Sequence, residues 1–211
     1  MHPLLRDAAK DLLQKLIFRR RFTWRLSSDT VDAALTFDDG PHPEFTPTLL
    51  DVLGESGVKA TFFVVGDKVD KHPEVVRRIA ADGHGLGNHT FQHREIVGMS
   101  RAEVDVELAR GRQSIRDACG VDTWLFRPPR GRLDLSSLRA ATGLGYHVVH
   151  WTRTYSDYQC DGLQALLGRF AQRPVQPRDI VLLHDHNEHT VAAMKHLLPR
   201  WRADGLSFRS L

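Results

Sequence analysis

Short apolar runs and amphipathic stretches alternate along most of the chain, and their periods predict a repeated strand-then-helix order. A strand is expected at about 31–37, where Val31, Ala33, Ala34, Leu35 and Phe37 gather. A helix follows at about 47–54, with Thr46 placed to cap it and Pro47 as its first residue. The β-rich run at 60–65 precedes a helix with Pro73 in its first turn and Val75, Val76 and Ile79 on one face, stopping at Gly83. Ser100 and Glu103 have the spacing of a capping box ahead of a long helix that ends near Gly120. Strands at 123–126 and 146–151 flank a helix at about 135–142. Asp161 is placed to cap a helix bearing Leu163, Leu166, Leu167 and Phe170. The run at 180–183 reads as a buried strand, and Thr190 opens a last helix to about residue 203.

Six or seven such units imply right-handed crossovers and a parallel sheet. The expected fold is α/β, a single-domain distorted (β/α) barrel of about seven parallel strands, with an open doubly wound sheet as the alternative. A chain of 211 residues suits one core. The globular domain is expected over 31–211, behind an N-terminal basic amphipathic segment over 1–30.

In that segment Leu5, Ala8, Ala9, Leu12, Leu13 and Leu16 share one helical face, followed by Arg19, Arg20 and Arg21. A helix packed on the domain is the first expectation, and a peripheral membrane contact through residues 4–21 the second. Lys10, Asp11, Gln14 and Lys15 interrupt the apolar run, so neither a signal peptide nor a membrane span is read. A cytoplasmic location is expected, at most peripheral to the inner membrane face. The net charge of +3, without a continuous basic stripe, argues against a nucleic-acid partner. Cys119 and Cys160 lack C-x-x-C spacing and read as small buried hydrophobes or free thiols.

The candidate chemistry begins with Thr36-Phe37-Asp38-Asp39-Gly40-Pro41 at the end of the first strand, the face of such a barrel that carries active sites. Adjacent carboxylates there can point in different directions, one to a metal and one to a proton. Asp-Gly is also a common turn pair. His89 and His93 stand at i and i+4, which on a helical turn would let them share a cation. Two histidines and one carboxylate leave coordination positions open, and Asp39 could complete the set.

The order Thr36 to Pro41, then Gly87-Asn88-His89-Thr90-Phe91-Gln92-His93, resembles the polysaccharide deacetylase family, also called the NodB-homology or carbohydrate esterase 4 family. Phe62-Phe63-Val64-Val65-Gly66 and Gly83-His84 extend the resemblance. It implies a catalytic domain that removes N-acetyl groups from the amino sugars of a polysaccharide, oligosaccharide or glycan precursor. By the same resemblance Asp38 is the base, while Asp39, His89 and His93 hold one divalent ion, Zn²⁺ first and Co²⁺, Ni²⁺ or Mn²⁺ as alternatives. Arg127, in Phe126-Arg127-Pro128-Pro129-Arg130-Gly131, would hold the base carboxylate. His184, ending an apolar run before Asp185, would be the general acid, with His186 and His189 on the rim. Arg130, Trp151, Asp157 and Tyr158 are expected to meet substrate.

Two positions depart from the family pattern. Arg130 stands where the family has tyrosine; its main-chain N–H can still serve an oxyanion, and its side chain either meets an anionic substrate group or faces solvent. The Asp-x-x-Asp-Trp motif reads as Thr154-Tyr155-Ser156-Asp157-Tyr158. Without the first carboxylate, either Asp157 partners His184 or that imidazole has a lower pKa than in relatives. Rival expectations are a deacylase or deformylase of a lipid-linked sugar and a catalytically silent carbohydrate-binding module. The oligomeric state is open.

Overall fold

Two five-residue strands, β2 (Ala34–Asp38) and β8 (Ile180–His184), pair in parallel and are buried at every position. Alternation divides each between two environments. Leu35 and Phe37 of β2, with Val181 and Leu183 of β8, face a helical layer that includes α1 (Phe45–Glu55) and α7 (Glu188–Ala203). Ala34 and Ile180 face the barrel interior, packing with Phe63 and Val149. Thr36, Asp38, Leu182 and His184 share that inner face by parity. The register sets Asp38 beside His184.

The structure, a computed structural model, describes residues 21–211. The remaining strands are β1 (Phe22–Thr23), β3 (Thr61–Val64), β4 (Gly85–Asn88), β5 (Leu125–Phe126), β6 (His147–Val149) and β7 (Arg153–Thr154). They form one parallel sheet in the order β1-β6-β5-β4-β3-β2-β8-β7. The sheet curls into a distorted, partly open barrel whose edges are β1 and β7. The remaining helices are α2 (Gly66–Lys71), α3 (Pro73–Ala81), α4 (Arg101–Cys119), α5 (Leu135–Gly143) and α6 (Leu163–Gln172). No helix among the described residues is long and apolar enough to cross a membrane.

Several local expectations shift. The first predicted strand starts later, at Ala34, and Val31 is 75% exposed. The domain starts earlier than residue 31: β1 pairs with β6, and Leu26 is buried. The segment at 4–18 and its expected membrane contact lie outside the described residues. Glu44, not Thr46, precedes α1; Thr46 is buried in the first turn and hydrogen-bonds Asp185. Gly162 rather than Asp161 precedes α6. Asn187 caps α7, accepting from the Thr190 N–H. The Ser100–Glu103 capping box and the left-handed Gly120 bound α4 as its sequence predicts. Both cysteines are free and half-buried.

Strand β4 carries no sequence signal because its inward positions are glycines. A Cβ on Gly85 would lie 2.7 Å from Thr61 Oγ1, and one on Gly87 would collide with the Phe63 ring. Absent side chains on β4 thus make room for the large ones on β3. Gly87→Ala, which pushes Phe63 into the packed interior, is expected to cost about 1–3 kcal/mol. Urea denaturation of the two proteins measures it.

Candidate active site

The inner face is organised around Arg127, which is fully buried just beyond β5. Its NH1 donates to Thr36 Oγ1 and Asp38 Oδ1, both at 2.7 Å. Nε donates to the Val149 carbonyl at 3.2 Å and NH2 to the His150 carbonyl at 3.1 Å. The guanidinium carbon lies 4.1 Å from the centre of the Phe63 ring. Arg127 therefore fixes the direction of Asp38 and leaves Oδ2 toward the cleft.

The backbone of Arg127 organises the other side. Its carbonyl meets His89 Nδ1 at 2.7 Å. A carbonyl only accepts, so Nδ1 carries the proton and Nε2 presents a lone pair. That lone pair faces Asp39 Oδ1 at 3.4 Å, and His93 Nε2 lies 3.0 Å from the same oxygen. Asp39, His89 and His93 bring their ligand atoms within 4.8 Å of one another. Electron-rich atoms converging this closely fit a cation, and a carbonyl behind the imidazole is a common support for a metal-ligating histidine.

The His89–His93 segment is a loop, not the helical turn expected. Thr90 and His93 have positive φ, 67° and 55°. Glu107 of α4 holds the loop by accepting from the N–H groups of Phe91 and Gln92 at 3.1 and 3.0 Å. The neighbouring turn is also constrained. Asp39 has φ 72°, and the Lys68 ammonium donates to its carbonyl at 2.7 Å. A Cβ on Gly40 would collide with the Asp185 carboxyl. That carboxyl is fully buried; burial pushes its pKa up to about 7, against the hydrogen bond from Thr46.

Across the cleft, His184 Nδ1 lies 2.9 Å from Asp157 Oδ1. Asp157 Oδ2 accepts from the His184 N–H and the Thr190 hydroxyl, both at 2.7 Å. Burial alone would lower the pKa of His184. The hydrogen bond and charge of Asp157, with the charges of Asp38 and Asp39, instead raise it to about 9. Of the two expectations left open by Thr154, the structure has Asp157 as partner. Asp157 is consequently buried beneath His184 with both oxygens engaged, and does not stand on the substrate wall where the sequence had set it.

A cleft of about 450 Å³ joins these groups, and Arg130, Trp151, Thr154, Ser156, Tyr158, Leu182 and His186 complete its walls. Tyr158 packs edge-on to His184, with ring centres 5.0 Å apart. Arg130 has φ 55° and hydrogen-bonds Glu95. His186, expected only on the rim, lines the cleft 5.4 Å from His184. His189 lies in the first turn of α7. Glu107, Lys68, Thr46 and Asp185 went unrecognised in the sequence. Only Asp185, directly after the expected acid, carried a positional hint.

The chain matches the polysaccharide deacetylase family over residues 27–149. A chitooligosaccharide deacetylase of Sinorhizobium fredii is 35% identical over 191 residues, spanning 84% of this chain and 88% of that protein. A peptidoglycan-N-acetylglucosamine deacetylase of Bacillus cereus is 31% identical, spanning 88% and 89%. The crystal structure of a peptidoglycan N-acetylglucosamine deacetylase superposes with a TM-score of 0.87 at 27% identity, covering 93% of this chain and 94% of that one. With its sequence match spanning more than half the chain, and the strand-end carboxylates, paired histidines and buried arginine assembled on one face, this protein belongs to the polysaccharide deacetylase family.

Proposed function

We propose that the protein is a metal-dependent carbohydrate N-deacetylase, acting on N-acetylated amino sugars of an oligosaccharide, polysaccharide or glycan precursor. The observation that carries this reading is the convergence, on one inner face, of an arginine-held carboxylate, a three-donor ligand set and a carboxylate-paired histidine. Relatives named chitooligosaccharide and peptidoglycan-N-acetylglucosamine deacetylases support the substrate class.

Asp39, His89 and His93 would hold the ion. When bound, a divalent ion such as Zn²⁺ supplies Lewis-acid polarisation of the acyl carbonyl and makes water easier to deprotonate. Asp38 accepts the water proton at Oδ2, since Oδ1 is taken by Arg127. The main-chain N–H of Arg130 would assist the developing oxyanion. His184, its Nδ1 held by Asp157, presents Nε2 and donates a proton to the departing amine. Acetate and a free amino sugar result. A silent carbohydrate-binding module is disfavoured because base, ligand set and acid pair are all intact.

Three outcomes test the reading. Acetate release from an N-acetylglucosamine oligomer is expected to vanish with chelator and return with Zn²⁺ or Co²⁺; binding without release under those conditions would favour the silent module. Asp38→Asn is expected to keep its metal content, by elemental analysis, and to lose roughly 10²–10⁴-fold in kcat. The third concerns pH. A general acid works while protonated, so with Asp157 raising the pKa of His184 the alkaline limb of kcat/KM is expected above the ordinary histidine value of 6.5. Asp157→Asn removes the largest stabiliser of the imidazolium and moves that limb down, toward the ordinary histidine value of 6.5. An unmoved limb in the pH–rate profile would exclude His184 as the acid.

A further inference from the structure

We propose that the mouth of the cleft selects N-acetylated glycans bearing an anionic group, a carboxylate or phosphate, beside the acylated sugar, and that Arg130 is the selecting residue. This rests on the deacetylase reading and narrows it to a substrate class.

Arg130 lines the same cleft as Asp38, Asp39 and His184. Its left-handed backbone, φ 55°, lies between Pro129 and Gly131, where a Cβ on Gly131 would come within 2.5 Å of the Trp151 ring. The turn is thus packed inward against Trp151, while the Arg130 side chain is 72% exposed at the cleft edge. Its NH1 donates to Glu95 Oε1 at 2.8 Å, which fixes where the guanidinium sits.

Glu95 does not neutralise it. The other oxygen, Oε2, accepts from Arg132 NH1 at 2.8 Å. One carboxylate serves two guanidiniums, so one positive charge is left uncompensated at this edge. The adjacent Arg94 adds none, because its own partner is Glu107 at 3.7 Å. A guanidinium has five N–H donors, and the bond to Glu95 engages one of them. The remaining fork suits the paired oxygens of a carboxylate or phosphate. A neutral chito-oligosaccharide offers only hydroxyls and amides, with no charge to meet it.

The test uses the full-length metal-loaded protein and two N-acetylated tetrasaccharides, one neutral and one carrying a lactyl carboxylate on every second sugar. kcat/KM for acetate release and Kd by calorimetry are measured for each. The anionic substrate is expected to be favoured by about fivefold, the scale of an exposed but geometrically fixed ion pair, and less at high salt. Arg130→Gln, which keeps the main-chain N–H, brings the ratio to about one. Arg132→Gln lowers it too, because Glu95 then compensates Arg130 alone. A tetrasaccharide with a phosphate monoester in place of the carboxylate shows which anion is preferred. Equal ratios in the unaltered protein and Arg130→Gln overturn the selectivity, even if acetate is released. Affinity ratios need no turnover, so a retained ratio without acetate release supports the selectivity and counts against the deacetylase reading alone.

Discussion

The site depends on a single buried ion pair. Arg127 and Asp38 are taken out of water together, and desolvating two such charges costs on the order of several kcal/mol per ion unless attraction and hydrogen bonds offset it. Here the offset is structural: Thr36, Val149 and His150 supply acceptors from two regions of the sheet, and the Phe63 ring lies against the guanidinium. The same residue accepts at its carbonyl from His89, which sets that imidazole's tautomer. The direction of Asp38 and the orientation of His89 are therefore coupled through one side chain and its own peptide group. Truncating the Arg127 side chain would strand a buried carboxylate while leaving in place the carbonyl that orients His89.

Room for that pair comes from the sheet around it. An inward-facing Phe63, against which Arg127 stacks, fits because β4 presents glycine at Gly87, as Gly85 makes room for Thr61. Weak intrinsic strand preference is tolerated there because both neighbouring strands pair with it in register. The opposite side of the cleft follows the same economy. His184 is the register neighbour of Asp38, and one carboxylate, Asp157, fixes both its ring and its backbone N–H. Asp38 and His184 stand on adjacent strands, so their separation is set by sheet geometry rather than by loops.

The loops tune what the strands hold. Left-handed backbone occurs at the cleft-lining Asp39, at the buried Thr90, and at His93 and Arg130, which also line the cleft, and each turn is restrained from behind. Lys68 and Asp185 back the first, Glu107 the second, and the Trp151 ring the last. Such non-glycine positions are sparsely populated in ordinary structure and persist where surrounding contacts hold them.

The alternating apolar runs were enough to determine a parallel α/β fold, because strand and helix periods are local properties of the chain. The order of Asp38, Asp39, His89, His93, Arg127 and His184 was enough to indicate the site, since strand ends deliver side chains to one face. What the sequence left open was decided by long-range packing. Strand β4 stayed hidden because its glycines have meaning only against Phe63 and Thr61. The His89–His93 pair looked helical because i,i+4 spacing is ambiguous until Glu107, from a later helix, pins the loop. Whether Asp157 met substrate or His184 could not be read from spacing alone, and the pairing of β2 with β8 and the seat of Thr190 beside that carboxylate settled it. Local pattern pointed to the candidate residues; tertiary contact decided which of them face one another.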